Sequence, residues 1–95
     1  MIKLVKEFSI VAPEGLHARP ATLFVQRASR FAADMEVSFD DHTVNAKSIM
    51  GLMSLGLAQG QKFKLIVSGS DCKNAMDSMI SALEVEKIAH LVRPT

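Results

Sequence analysis

Met35-Glu36-Val37-Ser38-Phe39-Asp40-Asp41-His42-Thr43-Val44-Asn45-Ala46 is the stretch that sets the fold class. Met35, Val37 and Phe39 alternate strictly with polar residues, the period of a strand with one apolar face. Asp40, Asp41, His42 and Thr43 supply a turn, and residues 44–46 a short third strand. Working outward, the period of two returns on both sides. Ile2, Leu4, Phe8 and Ile10 read as a first strand, with Lys6 spoiling the parity. Phe63, Leu65 and Val67 alternate with Lys62, Lys64 and Ser68 as a fourth. Helical spacing fills the intervals. Ala21, Phe24, Val25 and Ala28 form an apolar stripe over residues 18–30, continuing to Phe31 and Ala32. Ser48 opens an apolar segment through Leu57 that reads as a short second helix ending near Gly60. Asp71 is placed to cap a third helix with the stripe Cys72, Ala75, Met76, Met79 and Leu83. Residues 85–95 show no clean period.

Strands with one apolar face require a cover on that face and tolerate water on the other. The expected fold is therefore α+β, an open-faced β-sandwich: a four-stranded antiparallel sheet with three helices on one face (βαββαβα). The same order suits a ferredoxin-like metabolite-binding domain, so architecture leaves function open.

The 95 residues fit one domain, 1–95, in which residues 86–95 form an extension of unassigned structure. A net charge of +1, with phenylalanine the only aromatic, gives no basis for nucleic-acid binding or an anionic membrane surface. The longest apolar stretch, residues 49–58, is broken by glycines and a serine and is too short for membrane insertion. The N-terminal residues lack a signal-peptide layout, and Cys72, the single cysteine, allows no internal disulfide. A cytoplasmic monomer is expected. His42, His90 and Cys72 have no metal-ligand spacing, so neither metal nor cofactor is expected.

The chemistry concentrates in Gly15-Leu16-His17-Ala18-Arg19-Pro20-Ala21, which joins the first strand to the first helix. His17 thus falls at or next to a helix N-terminus, where free N–H groups and the positive end of the dipole favour a phosphoryl group. A neutral imidazole there has a ring nitrogen free to attack phosphorus. Arg19 adds a phosphate-matched cation. Pro20 suits the first turn, and Gly15 lets the backbone bend. A lone histidine before a helix is ordinarily a cap or a solvated residue, and a lone arginine a surface charge. The conjunction of glycine, histidine, arginine and proline at one junction is what points to phosphoryl chemistry. No neighbouring residue reads as a general base for activating water, and no triad or metal set can be found, which favours reversible transfer over hydrolysis. Glu14 would favour imidazolium and repel phosphate if it approached His17, so it is expected to face solvent.

This heptapeptide resembles the active-site signature of the HPr family, the histidine-containing phosphocarriers of the phosphoenolpyruvate:sugar phosphotransferase system. A second stretch, Lys47-Ser48-Ile49-Met50-Gly51-Leu52-Met53-Ser54-Leu55, resembles that family's regulatory serine signature. The resemblance covers roughly residues 6–85. It implies that enzyme I phosphorylates His17 on Nδ1 at the expense of phosphoenolpyruvate, and that the group passes to IIA components of sugar permeases. It also implies a carrier that depends on partner enzymes for turnover. Ser48 would be modified by an HPr kinase/phosphorylase, the seryl-phosphorylated form serving as corepressor for a catabolite-control transcription regulator. Two alternatives stand beside this reading: a carrier of the same fold used mainly in carbon or nitrogen control, and a ligand-binding regulatory domain without phosphoryl chemistry.

Ser48 also suits a plain helix N-cap, and the two roles are compatible. If Leu52 and Leu55 face the core, helical spacing turns Met50, Met53 and Leu57 outward. Leu23 lies opposite Ala21, Val25 and Ala28 on the first helix. These positions suggest a docking patch of Ile49, Met50 and Met53 with Ala18, Thr22 and Leu23, using adaptable Met contacts. Arg19, Arg27 and Lys47 would form its basic rim for acidic partners.

Overall fold

The alternation at Met35 and Val37 becomes a strand in which these two are buried, Phe39 is half-buried, and Asp34 and Glu36 face water. It belongs to a computed structural model that describes residues 2–93. In chain order the elements are β1 (Lys3–Ile10), α1 (Ala18–Ala28), β2 (Asp34–Phe39), β3 (His42–Asn45), α2 (Ile49–Ser54), β4 (Lys62–Ser68), α3 (Cys72–Val85) and β5 (Ala89–Leu91). The strands form one antiparallel sheet in the order β3-β2-β4-β1-β5. The fold is the expected α+β open-faced sandwich. Its sheet, however, has five strands rather than four.

The fifth strand arises from the way α3 stops. Lys87 adopts φ +57°, its N–H reaches the Glu84 carbonyl at 3.1 Å, and the Ile88 N–H reaches the Leu83 carbonyl at 2.8 Å. This is a Schellman closure, with Ile88 and Leu83 both buried as its apolar pair. The reversed chain then lies along β1, pairing Phe8 with Leu91 and Ile10 with Ala89.

Two other expectations shift by a few residues. The β2–β3 turn contracts to Asp40 and Asp41, at φ +50° and +64°, because a two-residue hairpin of this twist needs both central residues left-handed. His42 and Thr43 therefore belong to β3. The second helix ends at Ser54, since Gly56, at φ +65°, turns the chain away. Leu57 is then free to enter the core, where it is buried rather than outward-facing. Asp71 occupies the N-cap position of α3, yet its carboxylate makes no capping hydrogen bond.

Lys6 keeps the inward parity of β1 but lies at its margin and stays exposed beside Cys72, Met76 and Asp77 of α3. Three phenylalanines tie α1 to the sheet. Phe8 and Phe63 stack across β1 and β4 with centroids 5.4 Å apart, and Phe24 of α1 meets Phe63 at 6.1 Å, tilted by 56°. Each such pair adds about 0.5–1.5 kcal/mol beyond burial, which fixes α1 on the sheet.

Candidate functional site

The connection from β1 to α1 is built by three successive constraints. Ala12, Pro13, Glu14 and Gly15 form a β-turn closed by the Gly15 N–H on the Ala12 carbonyl at 2.9 Å, with proline at the favoured second position. Gly15 sits at φ +73°, and a Cβ there would collide with the Leu57 carbonyl oxygen. Only glycine satisfies both conditions. Next, the Leu16 N–H donates to that carbonyl at 2.9 Å while the Leu16 side chain is buried. Leu16 is thus the anchor that leaves the next residue outside.

His17 is that residue. It is exposed, with extended backbone (φ −142°, ψ 157°), at the N-cap position of α1. Its ring makes no capping hydrogen bond, so the ordinary role of a histidine before a helix does not apply. No backbone acceptor among the described residues engages the N–H groups of Ala18 or Arg19. Ala18 enters the helix at φ +50°, a conformation that costs a Cβ-bearing residue about 1–2 kcal/mol. Arg19 is exposed and forms no ion pair among the described residues. Pro20 is buried in the first turn, where its missing N–H removes no helical bond. Glu14 faces solvent and pairs with neither His17 nor Arg19. The result is an unpaired imidazole beside free donors at the positive end of an 11-residue helix.

Ser48 is the N-cap of α2, and its Oγ accepts the Gly51 N–H at 3.0 Å. The helices α1 and α2 pack side by side. Leu57, after α2, meets Leu16 before α1, whereas the Lys47 ammonium, before α2, donates to the Phe31 carbonyl after α1 at 2.8 Å. The two helices consequently run in opposite senses, and Ser48 lies toward the far end of α1 from His17. An 11-residue helix is roughly 16 Å long, which separates the two hydroxyl and imidazole positions by more than contact distance.

The patch residues fall as follows. Met50 is 83% exposed and Ile49 40%, while Met53, Thr22 and Leu23 are half-buried and Ala18 is exposed. The Thr22 hydroxyl donates to the Ala18 carbonyl at 3.1 Å. Two of the three basic positions are engaged within the chain: Lys47 on Phe31, and Arg27 with Glu86 at 3.5 Å. Sequence reasoning missed Leu57 and Ile88 as builders of the site. Both act through backbone carbonyls, and only the helix-stopping Gly56 hinted at the first.

Among the described residues no group of His, Cys, Asp and Glu could hold a metal ion, and no helix is long and apolar enough to cross a membrane.

The family model for the PTS HPr component phosphorylation site matches residues 4–85. The HPr-like protein Crh of Halalkalibacterium halodurans is 46% identical over 85% of this chain and 96% of its own. The crystal structure of HPr-C-His from Thermoanaerobacter tengcongensis superposes with a TM-score of 0.80 at 44% identity, covering 90% of this chain and 94% of that one. Crh of Bacillus subtilis, solved as a domain-swapped dimer, gives a TM-score of 0.69 at 45% identity over 80% of this chain and 87% of that one. A chain whose fold and sequence both match in this way belongs to the PTS-HPr family of phosphocarrier proteins.

Proposed function

We propose that this chain carries a phosphoryl group on His17, taking it from phosphorylated enzyme I and giving it to IIA components of sugar permeases. The observation that carries this reading is the uncapped, exposed imidazole of His17 beside the N–H groups of Ala18 and Arg19, which have no backbone partner among the described residues. The Nδ1 lone pair attacks phosphorus, an N–P bond forms, and the bond to the donor breaks. Arg19 and the helix entrance stabilise the charge of the transferred group. Among the described residues no base near His17 directs water at the phosphoryl group, so the group stays available for transfer in either direction. Turnover therefore depends on partner enzymes, and the chain works as a cytoplasmic monomer without a cofactor.

Docking falls to Ala18, Thr22, Leu23, Arg27, Lys47, Ile49, Met50 and Met53 along α1 and α2. Ser48 is the regulatory phosphorylation site. From its place toward the far end of α1, a phosphate acts on partner docking rather than on the phosphoryl group at His17. An HPr kinase/phosphorylase and a catabolite-control regulator are the corresponding partners. A mainly regulatory role is the second reading, favoured by the similarity to proteins named Crh.

Incubation with enzyme I and labelled phosphoenolpyruvate, followed by location of the label, tests the proposal. Acid-labile, base-stable label on His17 that moves on to a IIA protein is the expected result. Absence of label, or label that no IIA protein accepts, overturns the transport reading.

A further inference from the structure

The segment after α3, which lies beyond the residues matched by the family model, is attached to the chain that delivers His17. The Ile88 carbonyl accepts two N–H groups, from Val11 at 2.9 Å and Ala12 at 3.2 Å. On the opposite side, the Gln59 amide donates to the Val11 carbonyl at 3.1 Å, and the Gly60 N–H to the Ile10 carbonyl at 2.8 Å. Residues 10–12 are thereby gripped from both flanks just before the turn that leads to Leu16 and His17.

Beyond its pairing with β1 and the Ile88 closure on Leu83, the segment is held by one side chain of α3. Glu84, in the last turn of α3, accepts the Leu91 N–H on Oε2 at 3.1 Å. The same oxygen lies 3.7 Å from the Arg93 guanidinium and 4.0 Å from Nδ1 of His90. The Val92 N–H adds a bond to the Glu7 carbonyl at 2.8 Å.

We propose that the C-terminal strand β5, latched by Glu84, positions the His17 loop for phosphoryl transfer, with Glu84 a positioning residue. This inference rests on the transfer role proposed above for its kinetic consequence, and on hydrogen bonds alone for its mechanical part. Without the latch, β5 frays, the Ile88 carbonyl is released, and the turn at residues 12–15 loses one of its two supports. The imidazole then spends less time in the orientation a donor requires.

The test compares Glu84→Ala, Glu84→Gln and Leu91→Pro with the parent chain, by amide exchange and by the rate of His17 loading from phosphorylated enzyme I. Glu84→Ala removes every contact of the latch, whereas Glu84→Gln keeps an oxygen that accepts the Leu91 N–H. Leu91→Pro deletes that N–H and leaves α3 untouched. Protection at Val11, Ala12 and Gly15 is expected to fall by about tenfold in the first and third variants and to recover in Glu84→Gln. Loading is expected to slow by about tenfold in the same two variants and to recover in the same one. Unchanged exchange at Val11 and Ala12 in both opened variants overturns the proposal. Faster exchange with unaltered loading overturns it too. A parent chain that takes no phosphoryl group from enzyme I refutes the transfer role, and the positioning proposal falls with it, whereas a normally loading parent with unaltered variants refutes only the positioning.

Discussion

The entrances of α1 and α2 are both occupied by a residue capable of carrying phosphate, but they are finished differently. At α2 the Ser48 hydroxyl turns inward on its own helix and satisfies the Gly51 N–H. At α1 the His17 ring leaves its helix alone, and the N–H groups behind it have no backbone partner. A satisfied helix end contributes to stability, whereas an unsatisfied one is held available for an anion. The first arrangement serves the fold, and the second leaves open the donors that the proposed phosphoryl transfer would use. Under the proposed function, the contrast lets a small chain hold a phosphoryl group at one entrance while a regulatory modification acts at the other.

Substitutions can break or sharpen this contrast. His17→Ala should abolish phosphate acceptance from enzyme I and phosphoenolpyruvate while moving stability by no more than about 0.5 kcal/mol, since the exposed ring makes no capping hydrogen bond. Persisting label in that variant would refute the α1 side of the comparison. Gly15→Ala should destabilise the chain by about 2–3 kcal/mol in urea unfolding, because left-handed strain and collision with the Leu57 carbonyl coincide. A loss below 0.5 kcal/mol, as for an ordinary surface site, would show that the loop does not depend on that close approach.

Ser48→Asp should slow loading of His17 by at least about tenfold, by placing negative charge in the surface proposed for acidic partners. Unaltered transfer kinetics would remove the docking argument. Ser48→Ala, which loses the cap without adding charge, should cost about 1 kcal/mol of stability and leave loading intact. Ala18→Gly should have the smallest effect. Relief of about 1–2 kcal/mol of left-handed strain is offset by about 0.5–1 kcal/mol of glycine entropy, for a net gain of about 0–1.5 kcal/mol. A destabilised Ala18→Gly protein would show that Ala18 enters α1 without strain.

Much of this was legible in the sequence because side-chain pattern carried it. The alternation of Met35 with Val37, and of Phe63 with Leu65 and Val67, survives as buried parity in β2 and β4. Cys72 lies on the buried face of α3 and Ser48 caps α2, as their positions imply. The fifth strand was illegible: Ala89–Leu91 is too short to show a period, and it exists because Lys87 takes a left-handed turn that its identity does not advertise. The part played by Leu57 was hidden for a related reason. A carbonyl that receives a long-range N–H leaves no mark on the choice of side chain. Arg27 and Lys47 were readable as cations, but their contacts with Glu86 and Phe31 depend on how α1 meets α3 and α2.

The edge of β1 carries a final consequence, for association between copies. An open strand edge offers unpaired N–H and C=O groups to any second chain. Here β5 covers Phe8, Ser9 and Ile10 of that edge, and the Lys3 and Lys6 side chains stand exposed along the part β5 does not reach. For β1 to leave its own sheet and enter that of a neighbour, it must release Lys3–Ser9 from β4 and also release its pairing with β5. The added strand therefore raises the barrier to strand exchange, and it does so kinetically, through the number of bonds that have to open together.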